Sequence, residues 1–350
     1  MKNICIAFYL VLVFISAFAQ PKTSGFSFVE QKAKKQVDVL WKGKRITSYC
    51  YYDSIMKPFL FPLVTTDGIT VTRGYPLQPL PGERVDHPHH TGMWMNYESV
   101  NGLDFWNNST AIAPEKRSLY GTVRHDKVLS YKTAGNKATL VATANWQRPD
   151  GFILLKDTTT YLFQVKDGQL FIDRQTTLKA QSVPVVFKDV KDGFFAIRVA
   201  RELEQPSQQA DVFMDVHGNK TTVPQTSNEG VSGLYYGSTG LKGDSVWSSK
   251  GPWVMLKGKK EGKEITIGMF DHPSNVGYPA YWHARGYGLF AVNPLGRKVF
   301  SNGQEELNLT LQPGASTTFR YRVMIASGAK VSDEKMNKLA REFANESKRL

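Results

Sequence analysis

The stretch TTTYLFQVKDGQLFIDRQTT, residues 158–177, decides the fold class of this chain. Its two halves, residues 158–165 and 169–177, are rich in β-branched and aromatic side chains and flank Asp167 and Gly168. An Asp-Gly pair favours the positive φ angles of a tight two-residue turn between antiparallel strands. The stretch therefore predicts a β-hairpin.

The same kind of pattern extends along most of the chain. Short runs of alternating apolar and polar residues, separated by Gly, Asp and Pro, recur from Phe26 to Ile325, which is typical of antiparallel sheet. No linker, internal repeat or phosphate-binding loop interrupts them. We therefore expect an all-β fold, a large antiparallel β-sandwich that residues 20–350 form as a single domain.

A helix is predicted only at the C-terminus, over residues 332–348. Ser332 is a suitable N-cap for it. Apolar residues then recur at the spacing of one helix face: Met336, Leu339, Ala340 and Phe343. We expect this face to pack against the sheet.

Residues 1–19 read as a secretory signal peptide. Lys2 supplies a positive start, an apolar run covers residues 4–18, and residues 17–19 form a small-x-small cleavage site. The sequence therefore predicts an exported protein, periplasmic or secreted, whose mature chain begins at Gln20. No later apolar run is long enough to span a membrane.

The composition is that of a packed globular protein with a basic charge. Of 350 residues, 41% are hydrophobic and 12% aromatic, and the formal net charge is +13. The basic residues are scattered and no nucleic-acid-binding motif accompanies them, so we expect no nucleic acid partner. The charge favours acidic ligands such as uronate-bearing glycans. Loss of the signal peptide leaves Cys50 as the sole cysteine, so no internal disulfide is expected.

The densest candidate site is the segment DHPHHTGMW, which begins at Asp86. Imidazoles exchange protons or bind transition metals near neutral pH, and clustering them in an apolar core is costly. We predict that His87 and His90 are catalytic base and acid and that Asp86 orients an imidazole. His89 and Trp94 are predicted to bind substrate. A solvated loop whose histidines only form hydrogen bonds is the alternative interpretation.

Three further segments combine polar and aromatic residues, and we expect them to converge on the same cleft. In the first, Asp104 can orient an imidazole or cap a turn, and Trp106 can bind substrate. The second supplies His272 as a substrate-binding candidate. In the third, His283 can polarise or protonate an oxygen, and Arg285 can bind an acidic or carbonyl oxygen.

Single residues elsewhere complete the candidate set. Arg73 ends an apparent strand and can clamp a carboxylate. Lys188 and Arg198 can reach a ligand from the two ends of another strand. Asn293 is a further substrate-binding candidate.

The histidine spacing also permits a metal. A proline follows His87 and biases that residue toward extended backbone, and on a fully extended strand His87 and His89 would share a face while His90 pointed away. A His-x-His pair suits a divalent transition metal, but the spacing fixes no third ligand. Metal binding by His87 and His89 and metal-free acid–base chemistry both remain open.

Several blocks occur in an order that resembles the bacterial PmoA-like family, over most of the mature sequence. They are Lys57-Pro58-Phe59, Thr72-Arg73-Gly74, the histidine segment, residues 100–106, Asp192-Gly193-Phe194-Phe195, Asp271-His272-Pro273 and residues 282–296. The family's name refers to a methane oxygenase, an activity of membrane complexes, and this chain has no spans to build one. Members are typical of glycan-degrading bacteria. The resemblance implies a sandwich of the galactose mutarotase type, with an open sugar-binding cleft lined by histidines and acids.

These observations lead to one main hypothesis of function and two alternatives. The main hypothesis is an exported carbohydrate-active enzyme, a lyase, hydrolase or epimerase, that acts on a modified sugar by proton transfer in a histidine-lined cleft. The first alternative is a non-catalytic glycan-binding protein. The second is a metal-dependent oxygenase or hydrolase. In each case the ligand is a small molecule or an oligosaccharide.

Overall fold

A computed structural model describes residues 24–346, so the predicted signal peptide and residues 347–350 lie outside the described residues. In chain order the strands are β1 (Phe26–Gln31), β2 (Gln36–Trp41), β3 (Lys44–Cys50), β4 (Phe59–Leu60), β5 (Met93–Tyr97), β6 (Thr122–Ala134), β7 (Lys137–Gln147), β8 (Ile153–Lys166), β9 (Gln169–Ala180), β10 (Val185–Phe187), β11 (Gly193–Arg198), β12 (Asp211–Met214), β13 (Lys220–Val223), β14 (Leu234–Gly237), β15 (Trp253–Lys260), β16 (Lys263–Asp271), β17 (Tyr281–Arg285), β18 (Leu289–Asn293), β19 (Leu309–Leu311) and β20 (Ser316–Ser327). The α-helices are α1 (Arg297–Phe300) and α2 (Asp333–Glu346).

Sixteen of these strands form two large sheets. The first sheet has the order β1-β2-β3-β4-β5-β11-β18-β17, and the second has the order β14-β15-β16-β20-β9-β8-β7-β6. Neighbouring strands in both sheets are antiparallel. Small two-stranded sheets join β10 to β19 and β12 to β13.

The main hydrophobic core lies between the two large sheets. Phe195 on β11 stacks on Tyr321 on β20, with ring centroids 4.9 Å apart, and Phe194 meets Phe319 at 4.4 Å. These four side chains are buried. The predicted fold class, a large antiparallel β-sandwich with a C-terminal helix, is therefore confirmed.

The predicted hairpin is β8 and β9. Lys166 pairs with Gln169, and Asp167 and Gly168 between them have φ angles of 52° and 75°. Two positive φ angles are the signature of the turn type that an Asp-Gly pair favours. Both strands are longer than their sequence pattern predicts, because β7 and β20 pair along their outer edges.

The predicted helix is α2, and it covers the outer face of the second sheet. The Ser332 hydroxyl accepts a hydrogen bond from the Lys335 amide at 3.3 Å, as an N-cap should. Met336, Leu339 and Phe343 are buried against residues of that sheet. The predicted end at residue 348 lies outside the described residues. No helix within residues 24–346 is long and apolar enough to cross a membrane.

The outer face of the first sheet carries a different set of side chains. Successive strand residues point to opposite faces, so Phe195 and Ile197 enter the core while Ala196 and Arg198 point outward. Trp94 on β5 pairs with Ala196 and therefore shares this outward face. The histidine segment ends where β5 begins, which brings it to the same face.

Candidate functional site

The histidine segment forms a turn at the edge of the first sheet's outer face. The His90 amide donates to the His87 carbonyl at 3.0 Å, which closes the turn. His87 has a φ of 43°, in the left-handed region that non-glycine residues rarely adopt. The expectation that Pro88 keeps His87 in extended backbone is therefore wrong. Strain of this kind persists only where surrounding contacts hold it.

Arg73 supplies those contacts. Its side chain is 1% exposed, and it donates hydrogen bonds of 3.0–3.2 Å to the carbonyls of Arg84, Asp86, His87 and His90. It also forms an ion pair with the Asp86 carboxylate. The two terminal nitrogens of its guanidinium therefore hold the turn together, whereas the sequence predicts that Arg73 clamps a substrate carboxylate.

Asp86 joins the turn to the sheet. Its carboxylate accepts from Arg73 and from Arg198 at 2.7 Å, and it contacts His87 Nδ1 at 2.6 Å. Burial alone would raise the pKa of Asp86, but the charges of Arg198 and Arg73 and the bond from His87 hold it well below its ordinary value. An ionised carboxylate can only accept, so Nδ1 of His87 carries the proton and Nε2 is left for another partner.

The imidazole rings of His87 and His90 stack on each other and do not point to opposite faces of a strand. The rings of His87 and His90 are 4.7 Å apart and nearly parallel, and the Tyr287 ring is also nearly parallel to His87, at 5.2 Å. His89 meets both rings edge-on. The His87 side chain is 41% exposed, whereas His89 and His90 are buried.

His90 differs from the predicted catalytic acid. Burial, with the nearby His89 and Arg198, lowers its pKa well below the ordinary value, so its ring is neutral. Its Nδ1 lies 3.2 Å from a guanidinium nitrogen of Arg198, an obligatory donor. The His90 ring also stacks on Trp94, with ring centroids 5.2 Å apart. His90 therefore acts as a support between His87 and the sheet.

A row of paired residues continues the site across the sheet. Trp94 pairs with Ala196, Ala196 with Ala291, and Ala291 with His283. The two alanines leave the middle of the row without large side chains. Trp106 lies outside the strands and packs on Trp94 at 5.2 Å.

Several buried polar atoms on this face have no hydrogen-bond partner within the described part of the chain. They are His89 Nε2, Trp94 Nε1, Asn96 Oδ1 and His283 Nδ1. Native proteins satisfy most buried polar atoms. Such a group of donors and acceptors on one sheet face is what a polar ligand would satisfy.

An acidic group faces His283. Asp192 Oδ1 lies 3.9 Å from His283 Nδ1 and 3.6 Å from the Lys191 amine. Burial raises the pKa of Asp192 despite the opposing charges of Lys191, His87 and Arg285. Burial, with the charges of Lys191, Arg285 and His87, lowers the pKa of His283 to about 3. His87 thus lies near enough to influence both groups electrostatically.

A buried lysine underlies the turn and was not predicted as a site residue. The Lys57 amine donates to the His89 carbonyl at 2.5 Å and lies 5.3 Å from the Trp94 ring centroid. Burial lowers its pKa to about 7, although nearby Asp104 opposes the shift. Its signal in the sequence was its place in the Lys57-Pro58-Phe59 block.

Other predicted site residues have structural roles. Asp104 accepts from the backbone and side-chain amides of Asn107, at 2.9 and 2.8 Å, so it caps a turn instead of orienting an imidazole. Asn293 uses its amide to hold the carbonyls of Val190 and Lys191. Both side chains stabilise loops that border the site.

Two predicted residues lie away from the histidine turn. The Lys188 side chain is exposed, and its backbone, not its amine, bonds to Ser99. His272 lies at the end of β16, where its ring meets Phe343 of α2 edge-on at 5.0 Å. The expectation that this segment converges on the same cleft is wrong, because β16 belongs to the second sheet.

Arg285, the last residue of β17, borders the site near Tyr287. Its guanidinium lies 5.7 Å from the Trp247 ring centroid and 6.0 Å from that of Tyr287. Within residues 24–346, no carboxylate lies within ion-pair distance of it. It also lines a cavity of about 400 Å³ next to Tyr287.

The predicted metal ligands gain no third partner among the described residues. His87 and His89 have ring centroids 5.6 Å apart at a steep angle. No three His, Cys, Asp or Glu side chains in the described part of the chain meet in a group that could hold a metal ion.

A family profile matches residues 36–341, most of the chain. The chain belongs to DUF6807, a family of unknown function. The resemblance to the PmoA-like family is therefore wrong, and nothing in the comparisons links the chain to PmoA. The oxygenase alternative loses its basis with that resemblance. A search of curated proteins gives no match.

Three of the solved structures similar to this DUF6807 member have names that refer to sugars. The galactosidase domain of the α-galactosidase-sucrose kinase AgaSK has a TM-score of 0.36 at 10% identity, and the match covers 87% of this chain but only 42% of that one. A galactose mutarotase related enzyme from Lactobacillus acidophilus has a TM-score of 0.30 at 8% identity, over 87% and 98% of the two chains. A putative aldose 1-epimerase from Escherichia coli K12 has a TM-score of 0.32 at 11% identity, over 86% and 98%.

Proposed function

We propose that this DUF6807 member is an exported carbohydrate-active enzyme that transfers protons on a sugar bound at the outer face of the first sheet. The observation that carries the proposal is the group of unpartnered buried atoms around the Asp86–His87 pair. Indole, amide and imidazole groups form hydrogen bonds with neutral hydroxyls. Together with the half-buried ring of Tyr287, they suit a sugar better than an apolar or strongly charged ligand.

His87 is the proposed acid–base residue. Asp86 holds its Nδ1, so Nε2 can take a proton from the sugar or return one. The backbone strain at His87 and the two arginines bound to Asp86 support this role, because they fix the ring where it is exposed to a ligand.

Asp192 is proposed as the second residue that transfers a proton, alongside His87. It is not among the site residues predicted from the sequence. A carboxyl whose pKa is raised by burial holds its proton closer to neutral pH, so it can donate to an oxygen while His87 removes a proton. His283 stays neutral and contributes hydrogen bonds. Removal and return of a proton gives epimerisation, loss of a leaving group gives elimination, and protonation of a glycosidic oxygen assists hydrolysis.

One observation favours the second candidate, a glycan-binding protein without catalysis. Burial lowers the pKa of His89 and of His90 well below the ordinary value, and that of His283 to about 3. Three neutral imidazoles are sufficient for recognition alone. A binder would retain its ligand unchanged over hours.

The test is turnover by the purified mature chain. Oligosaccharides, including oxidised and uronate-bearing ones, are incubated with wild type, His87→Ala and the matched control His217→Ala, which alters an exposed histidine. Mass spectrometry detects added water or elimination, and proton NMR in D₂O detects epimerisation, which leaves the mass unchanged in water. Turnover by wild type and His217→Ala but not by His87→Ala supports the proposal. Bound sugar that remains unchanged would favour the binding protein.

Export has its own test. Peptide mapping of the protein from periplasmic and culture fractions should find an N-terminus at Gln20. Recovery of a chain that still begins at Met1 would contradict the proposed cleavage.

A further inference from the structure

The cavity of about 400 Å³ beside Tyr287 has no role in the proposed proton transfer. Its lining includes Gln205, Asp244, Trp247, Arg285 and Tyr287. The Tyr287 ring also stacks on His87. One aromatic side chain therefore borders both the cavity and the proposed reacting histidine.

Two lining groups have buried polar atoms without a hydrogen-bond partner in the described residues. They are the indole Nε1 of Trp247 and the amide Oε1 of Gln205. Gln205 is 8% exposed, and its amide nitrogen donates to Asp244 Oδ1 at 2.7 Å. That bond fixes the amide orientation, which leaves its oxygen as an acceptor. A buried donor and a buried acceptor in one cavity indicate a ligand that can both accept and donate hydrogen bonds.

The charges in the cavity are nearly balanced. Arg84 is paired with Glu204, at 2.7 Å, and with Asp211. The remaining cation and anion, Arg285 and Asp244, have opposite signs and line the same space. A balanced cavity favours a neutral polar ligand over a carboxylate or an amine.

Trp247 adds a flat apolar surface. Its ring meets Phe300 edge-on with a centroid distance of 5.6 Å, which fixes its orientation. An aromatic ring beside hydroxyl-binding groups is the usual composition of a site for one sugar ring.

We propose that this cavity is a second sugar subsite, which binds a neutral sugar ring linked to the ring at His87. The ligand of this protein is then an oligosaccharide or glycoside of at least two rings, not a free monosaccharide. This inference rests on the proposed function, because the first ring is the one at the histidine turn.

Indole N–H resonances can report on the two sites separately. Trp94 Nε1 and Trp247 Nε1 have no partner in the described residues. The indoles of Trp146, Trp253 and Trp282 bond to protein acceptors and serve as internal controls. In ¹H–¹⁵N spectra of the labelled mature chain, each indole signal is assigned from its loss in a Trp→Phe variant.

Each sugar of the turnover panel is offered as a methyl monosaccharide and as a disaccharide with a neutral second ring. We expect monosaccharides that bind to shift Trp94 alone and the matching disaccharides to shift both Trp94 and Trp247. A Trp94 shift without any Trp247 shift would overturn the subsite and leave the proposed function intact. No indole response to any sugar would count against both proposals.

Variants measure the contribution of the cavity. Trp247→Phe removes one hydrogen-bond donor and should weaken disaccharide binding roughly threefold to tenfold, with monosaccharide binding unchanged. Trp41→Phe, at a half-buried position on β2, is the matched control. Equal weakening of monosaccharide and disaccharide by Trp247→Phe would contradict the proposal.

Discussion

The tripeptide Asp-His-Pro occurs twice in this chain, at Asp86-His87-Pro88 and at Asp271-His272-Pro273. At the first position the carboxylate binds two arginines and the imidazole, and the His87 side chain is 41% exposed. At the second, the Asp271 carboxylate accepts from two backbone amides and the Asn275 amide, at 2.7–2.9 Å. His272 is turned against Phe343 under the C-terminal helix.

The partners of the carboxylate therefore decide what the histidine of each motif can do. Asp86 is a counter-ion that orients an exposed imidazole. Asp271 holds a loop in place through its hydrogen bonds, and burial raises its pKa to about 6. The ring of His272 accepts from the Ser274 amide at 3.0 Å and bonds to the backbone of the helix, which fixes it in place. The first Asp-His-Pro motif therefore belongs to the candidate site, whereas the second stabilises the fold.

The largest expected stability difference comes from the two carboxylates. Asp86→Asn leaves the charges of buried Arg73 and Arg198 uncompensated and should lower the free energy of unfolding at pH 7 by about 3–5 kcal/mol. Asp271→Asn removes no counter-ion and should cost less. Urea unfolding of both variants at one pH checks this. Equal losses would remove the distinction between the two motifs.

The pH dependence of stability should have opposite signs at the two positions. The folded-state pKa of Asp271 is raised from 3.8 to about 6, so the folded state binds the proton more tightly. Its stabilising contribution is present below pH 4 and is lost as the pH rises to about 6, by about 3 kcal/mol at most. Asp86, whose folded-state pKa is lowered, stabilises the fold above pH 4 and loses that contribution on acidification.

Unfolding free energies at pH 4 and pH 7 test this assignment. Relative to wild type, Asp271→Asn should become more favourable by about 2–3 kcal/mol between pH 4 and pH 7. A constant difference across that range would show that Asp271 does not titrate there.

A smaller effect is expected at His283. Its pKa of about 3 keeps the ring neutral above pH 5, so His283→Gln, which retains hydrogen-bonding groups, should lower kcat/KM about tenfold, or ~1.4 kcal/mol. The shape of the pH–rate profile should not change. A displaced limb of that profile would mean that His283 titrates during turnover.

The smallest effect is expected at Lys188. Its exposed side chain contacts no group of the site, so Lys188→Ala should change the unfolding free energy by less than ~0.5 kcal/mol and leave turnover unchanged. Thermal unfolding and the turnover rate of Lys188→Ala check this prediction. A clear loss of turnover would restore Lys188 to the site.

Local patterns in the sequence predicted the elements well. The Asp167-Gly168 turn and the N-cap at Ser332 depend on neighbouring residues alone, and both are confirmed. The alternation of apolar and polar residues along the strands likewise predicted the β-sandwich. These features could be predicted because their physical causes lie within a few residues of one another.

The site was predictable only in part. Residue chemistry pointed to His87, but not to the positive φ that Arg73 imposes from a distant segment. The pKa shifts of Asp192 and Lys57 are caused mainly by burial, which no local pattern in the sequence encodes. His272 was misassigned because the sequence does not reveal which of the two sheets its strand joins.

The two Asp-His-Pro motifs are separated most sharply by comparing His87→Ala with His272→Ala. On a sugar that the wild type turns over, kcat/KM per folded molecule should fall roughly 10²–10⁴-fold for His87→Ala and stay within about threefold of wild type for His272→Ala. Equal losses, or a larger loss for His272→Ala, would contradict the claim that the first Asp-His-Pro motif is the reacting one.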